Sequence, residues 1–201
     1  MKAKKILILA VLLLLTGLAT SCEKDNYKSE FEKKVYELAK TQKKVDFNGF
    51  ISDMQRGIFI CYEYECVEKN GDRSGMMDGG TWVDDMSFSS DGNGKIYFNP
   101  NYDPSIHFYR TIKWKTSGNN TIELYAPYFD NSASNHVAAR TQLELLYYKN
   151  GHFAMKGTQP YSYTGPTIID YILIEGYIRF DQETLDEYAA YKPYENIEFI
   201  N

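Results

Sequence analysis

Apolar positions along this chain follow two different periods. Phe31, Val35, Leu38 and Ala39 recur at i, i+4, i+7 and i+8, the spacing of a single helix face, and Ser29-x-x-Glu32 ahead of them is a capping-box pattern. Together they predict an amphipathic helix from Ser29 to about Gln42, with Glu32, Lys33, Lys34 and Lys40 on its charged side. Such a helix either lies against or plugs its own domain, or docks a partner. After Asn48-Gly49 the period becomes that of strands. Eight are expected, near 57–67, 80–89, 95–99, 106–115, 121–126, 140–149, 152–159 and 168–180. Turn-forming clusters separate them, and Asn150-Gly151 between two strand-like runs is the strongest hairpin signal, a two-residue type I′ turn. A short helix over Asp181 to Tyr191, ended by Pro193, closes the pattern.

No helix interrupts consecutive strands, so neighbours should pair antiparallel and βαβ units are excluded. Eight such strands favour an up-and-down barrel, which leaves no open edge, over a two-sheet sandwich. The expected fold is therefore mainly β: an eight-stranded antiparallel barrel with an N-terminal amphipathic helix and a short C-terminal helix, forming one domain over residues 29–201.

The first residues have a different character. Lys2, Lys4 and Lys5 precede an apolar run from Ile6 to Leu15, too short to span a membrane, and small residues lead to Cys22. Residues 1–21 read as a signal peptide and 22–28 as a polar tether. The segment Ser21-Cys22-Glu23-Lys24-Asp25 resembles the processing site of bacterial lipoproteins, in particular those of the Bacteroidota. That resemblance implies a lipid on Cys22, attachment to the outer membrane facing the periplasm or the cell surface, and a domain that needs no membrane-binding face of its own. A protein held this way has the membrane as its first partner.

Charge and cysteines narrow the picture further. Without Lys2, Lys4 and Lys5 the net charge falls from −5 to −8, which disfavours nucleic acid as a partner. With Cys22 lipidated, Cys61 and Cys66 remain; five apart on one regular strand, they should point to opposite faces as free thiols.

A second resemblance lies in the strands. Gly80-Thr81-Trp82 is similar to the G-x-W motif of lipocalins, and Ile169-Asp170-Tyr171 and Arg179 follow in the order of that family's later motifs. The likeness implies a lipocalin-like barrel over about residues 55–180, and with it a small apolar or amphipathic ligand held inside. Strand alternation then marks polar residues on apolar faces: Arg110 with Ile106, Phe108, Ile112 and Trp114; Asp170 with Ile168, Ile172 and Ile174; Asp84 with Trp82, Met86 and Phe88. An unpaired charge there is costly. Arg110 should therefore pair with Asp170 or Asp84, or these groups, with Trp82 and Trp114, should line a ligand cavity.

Catalytic motifs are absent from the sequence. There is no nucleophile elbow, phosphate loop or dinucleotide fingerprint, and His107, His136 and His152 lack metal-ligand spacing. Neither a cofactor nor a metal is expected. The 18 tyrosines, among them Tyr125, Tyr128, Tyr161 and Tyr163 near strand ends, suggest a different class of function: a surface module that binds glycan or protein while side chains fill the barrel.

Overall fold

A computed structural model describes residues 27–76, 85–98, 107–118, 120–127, 138–158, 161–162, 165–166 and 169–193. The chain begins with helix α1 (Glu30–Lys40), started by Ser29, whose hydroxyl accepts the Glu32 N–H at 2.9 Å. Helix α2 (Phe47–Met54) comes next. It lies where the sequence reading placed only the Asn48-Gly49 break. Phe47, Phe50, Ile51 and Met54 carry helical spacing, and Asp46 caps the first turn by accepting the Gly49 N–H at 2.9 Å. Glycine suits that position because a Cβ would lie 2.3 Å from the Asp46 carboxylate.

The strands are β1 (Ile58–Glu68), β2 (Arg73–Met76), β3 (Met86–Phe88), β4 (Asn93–Phe98), β5 (Phe108–Ser117), β6 (Thr121–Pro127), β7 (Ala138–Lys149) and β8 (His152–Thr158). The short pair β9 (Tyr161–Ser162) and β10 (Gly165–Pro166) and the long β11 (Ile169–Arg179) follow. Helix α3 (Gln182–Ala189) and β12 (Lys192–Pro193) complete the described chain. Eight strands close into an antiparallel barrel in up-and-down order, β1-β3-β4-β5-β6-β7-β8-β11, and β11 returns to β1 from Ile58↔Arg179 to Glu68↔Ile169. The expected fold class is thus present, including the short C-terminal helix. Asn150 and Gly151 take positive φ of 52° and 82° at the β7–β8 hairpin, as the type I′ turn requires.

Two departures come from irregularities in β1. The first is β2, which alternation did not reveal; it pairs with the second half of β1, while β3 pairs with its first two residues. Of the strand expected at 80–89, residues 80–84 lie outside the described residues. The second is a bulge at Tyr62: Cys61 faces Gly176, and Glu63 already faces Glu175. One extra residue reverses the alternation. Phe59 and Cys61 point inward before it, and Tyr64 and Cys66 point inward after it. Cys61 and Cys66 therefore share the inner face rather than opposing ones. Both are free thiols, and burial, followed by the charges of Glu65 and Glu68, pushes Cys66 up to about 11.

Inward side chains from all eight strands merge into one cluster. Met86, Phe88, Ile112, Trp114, Ile122, Leu124, Leu143, Leu145, Met155, Ile172, Ile174 and Ile178 join the β1 residues. Near the axis Phe59 and Phe153 stack at 4.1 Å. Helix α2 packs into the end where β1 begins, sending Phe50 edge-on against Phe153 and Tyr148. Among the described residues, no helix is long and apolar enough to cross a membrane.

Candidate functional site

The residues singled out by alternation end up in different places. Trp114 is a core residue: it is 7% exposed, meets Phe88 edge-on at 5.7 Å, and donates its indole N–H to the Ser89 and Asn93 carbonyls at 3.0 and 3.1 Å. Arg110 is half-buried on the strand face that carries Ile112 and Trp114, paired in register with Ile96. Asp170 is exposed. A second bulge in the β1–β11 pair, where Val67 faces Tyr171 and Glu68 faces Ile169, removes Asp170 from the alternation that had placed it inside. Trp82, Asp84 and Cys22 lie outside the described residues, as do Gly80, Thr81, Tyr128 and Tyr163. Tyr125 is half-buried and its hydroxyl donates to Glu123 at 2.5 Å. Arg179 points outward and bonds Asp181 at 2.9 Å.

The polar chemistry of the described chain lies instead on the outer wall, beneath two helices. Helix α1 packs Val35 against Tyr147, Ala154 and Leu173, with Phe31, Leu38 and Tyr171 around them. It thereby covers carboxylates on the outward face of β1 and β11, and these need partners. The Arg73 guanidinium joins Glu32 at 2.8 Å and Glu65 at 2.5 Å, and the Tyr171 hydroxyl donates to Glu32 at 3.0 Å. Burial pushes the Glu32 carboxyl up, but the Lys28 N–H, Tyr171 and Arg73 outweigh it and hold the group below its ordinary range. Two residues further along α1, Lys34 bridges Glu63 at 3.1 Å and the buried Glu175, which also meets His152 Nε2 at 2.8 Å.

Helix α3 covers a different stretch of wall, packing Leu185, Tyr188 and the following Tyr191 against Ile58, Ile60, Tyr97 and Tyr109. Among the described residues, the edge of β1 between its β2 and β3 pairings is met by Asp85. Its carboxylate accepts the Cys61 N–H at 3.1 Å and the Tyr188 hydroxyl, while its carbonyl accepts the Tyr97 N–H at 2.8 Å. Burial outweighs those two bonds and raises the Asp85 carboxyl above its usual range.

A strip of wall on β1 and β11 remains between the two helices. The bulge turns Tyr62 outward, where it is 61% exposed, and it meets the 41% exposed Tyr177 at 6.2 Å and 81°. His152 lies parallel to Tyr177 at 4.7 Å, with Tyr147 edge-on to His152 at 5.2 Å. Glu63, Lys34 and Glu175 border the strip. It combines exposed ring surface with donors and acceptors that are already bonded to one another. Tyrosine abundance was the only sequence signal for such a surface, and it pointed to loop residues; the bulge that exposes Tyr62 leaves no trace in the alternation. No protein-family model and no curated protein sequence matches this chain.

Proposed function

We propose that this protein is a non-enzymatic lipoprotein of the cell envelope, anchored through Cys22, whose barrel is a filled scaffold that binds its partner on the outer wall. The basic, apolar and small-residue pattern ending at Cys22 supports the anchor. The observation that carries the rest is the occupied axis at the barrel end where β1 begins. Phe59 and Phe153 stack across it, Phe50 of α2 plugs one end, and all three rings are fully buried. A barrel of eight strands is just wide enough for side chains to fill, so bulky inward residues leave the outside as the surface on offer.

Two measurements test this. Labelled fatty acid should enter the wild-type protein and be lost in Cys22→Ala; equal labelling of both refutes the anchor. Native mass spectrometry of the protein purified from membranes should show the lipidated chain without a further stoichiometric adduct. A retained small apolar molecule would refute the filled scaffold and favour the lipocalin-like reading, in which the barrel itself is the binding site.

A further inference from the structure

We propose that Tyr62 and Tyr177 form a stacking site for a neutral carbohydrate, with Lys34, Glu63 and His152 placed to hydrogen-bond its hydroxyls. The inference rests on the proposal that binding takes place on the outer wall, and it names the site and the ligand class.

Three observations lead there. First, exposure: Tyr62 and Tyr177 are 61% and 41% exposed, while Tyr97 and Tyr147 are buried beneath the helices, Tyr188 and Tyr191 are buried where α3 meets the wall, and Tyr109, Tyr125 and Tyr171 are half-buried. Tyr62 is the extra residue of a bulge, a device that re-aims a side chain at the expense of ladder pairing. Second, geometry: the two rings meet at 81° and 6.2 Å, forming a corner, and the parallel His152 ring at 4.7 Å holds Tyr177 in place. A pyranose presents C–H groups on its faces and hydroxyls on its rim, so a ring corner bordered by donors and acceptors suits it.

Third, charge and size exclude other ligands. Lys34 already pairs with Glu63 and Glu175, and His152 with Glu175. Lys34 is shared by two carboxylates, so among the described residues of the strip no cation is left over to select an anionic ligand, while Lys34 and Glu63 remain 45% and 26% exposed and keep hydrogen-bonding capacity toward solvent. The two rings together expose only about 200 Å² if a tyrosine side chain presents ~200 Å². A stable protein partner needs about 800 Å² on each side. A sugar of one or a few residues fits that area.

The test uses the mature lipidated protein in detergent, titrated with neutral oligosaccharides of glucose, mannose, galactose and N-acetylglucosamine, and with an acidic polysaccharide as contrast. Saturation-transfer NMR or calorimetry reads binding. At least one neutral probe should bind saturably, in the range of weak single-site sugar binding. Tyr62→Ala and Tyr177→Ala should each weaken it about tenfold or more, and Tyr62→Phe should stay within about threefold, because the ring and not its hydroxyl does the stacking. Unchanged thermal unfolding of Tyr62→Ala would show that the loss is local, as its exposure predicts. Failure of every neutral probe, binding of the acidic probe alone, or binding that survives the double alanine variant overturns the inference. If no sugar binds and the native mass is also adduct-free, only this inference fails. If an apolar adduct is present, the outer-wall proposal fails with it.

Discussion

Replacing Phe153 by alanine is the sharpest test of a filled barrel. The ring is fully buried, stacked on Phe59 at 4.1 Å and edge-on to Phe50 at 6.1 Å. Its tip fills space that Gly176 leaves on the neighbouring strand, where a Cβ would come within 2.5 Å of it. Losing the ring's transfer free energy costs about 2–3 kcal/mol. A residual void of about 80 Å³, at ~24 cal/mol per Å³, adds about 2 kcal/mol. Collapse offers little relief, because β8 is pinned in register by β7 on one side and β11 on the other. The expected loss is therefore about 4 kcal/mol, within the range of about 3–5 kcal/mol for Phe→Ala in a rigid core. Urea unfolding followed by tryptophan fluorescence is suitable, since Trp114 sits in the same cluster. The midpoint should fall with an unchanged m-value. A loss below about 1 kcal/mol would mean that the ring already borders empty space; that would refute the filled interior and restore the barrel as a ligand cavity.

Other consequences concern the two seams and the barrel closure. Arg73→Leu should cost about 3 kcal/mol or more by leaving Glu32 and Glu65 unpaired under α1, and hydrogen exchange should show α1 amides opening; wild-type protection there would refute the seam's role. Because Glu32 titrates below its unfolded value, its contribution is present at neutral pH and lost as pH falls through and below the ordinary carboxylate range, and Arg73→Leu should flatten that acid-side loss. Asp85 has the opposite sign: its raised carboxyl makes the native state bind a proton more tightly, so stability falls as pH rises from the ordinary carboxylate range through the raised value. Asp85→Asn should remove that slope yet fold, since an amide can accept from Cys61 N–H and donate to the Tyr188 oxygen; an unchanged slope in pH-dependent melting would refute the assignment. Gly176→Ala should cost about 3 kcal/mol, because its Cβ would lie 2.1 Å from the Ile60 carbonyl across the closing strand pair; a near-neutral melting temperature would contradict that close approach.

Elements with a strong local period were legible. The Ser29 cap and the i, i+4, i+7 row of α1 depend on neighbours a few residues apart, as does the Asn150-Gly151 turn. The alternating runs gave the eight barrel strands near their observed positions, the one expected at 80–89 matched over its described part by β3, and short connections dictated antiparallel order. Helix α2 escaped because Asn48-Gly49 reads as a break when the capping role of Asp46 is ignored. The site residues were less legible. Alternation assigns faces only on regular strands, and bulges at Tyr62 and beside Val67 each shifted the phase. This moved Cys66 to the same face as Cys61 and put Asp170 outside.

By itself, the sequence determined the barrel class, the two terminal helices and the expectation of a lipid anchor at Cys22, because each rests on local pattern and composition. Tertiary structure decided what fills the barrel end where β1 begins and which of the described surfaces stays open. Phe50, Phe59 and Phe153 come from three separate elements, and only their convergence shows that the barrel end where β1 begins is packed with side chains. The same holds for the outer wall. Outward residues of β1 and β11 are alike in period, and the placement of α1 and α3 is what buries Glu65 and Ile58 while leaving Tyr62 and Tyr177 exposed to solvent. Local pattern fixes which way a side chain points, but what covers it is a long-range packing outcome that periodicity does not encode.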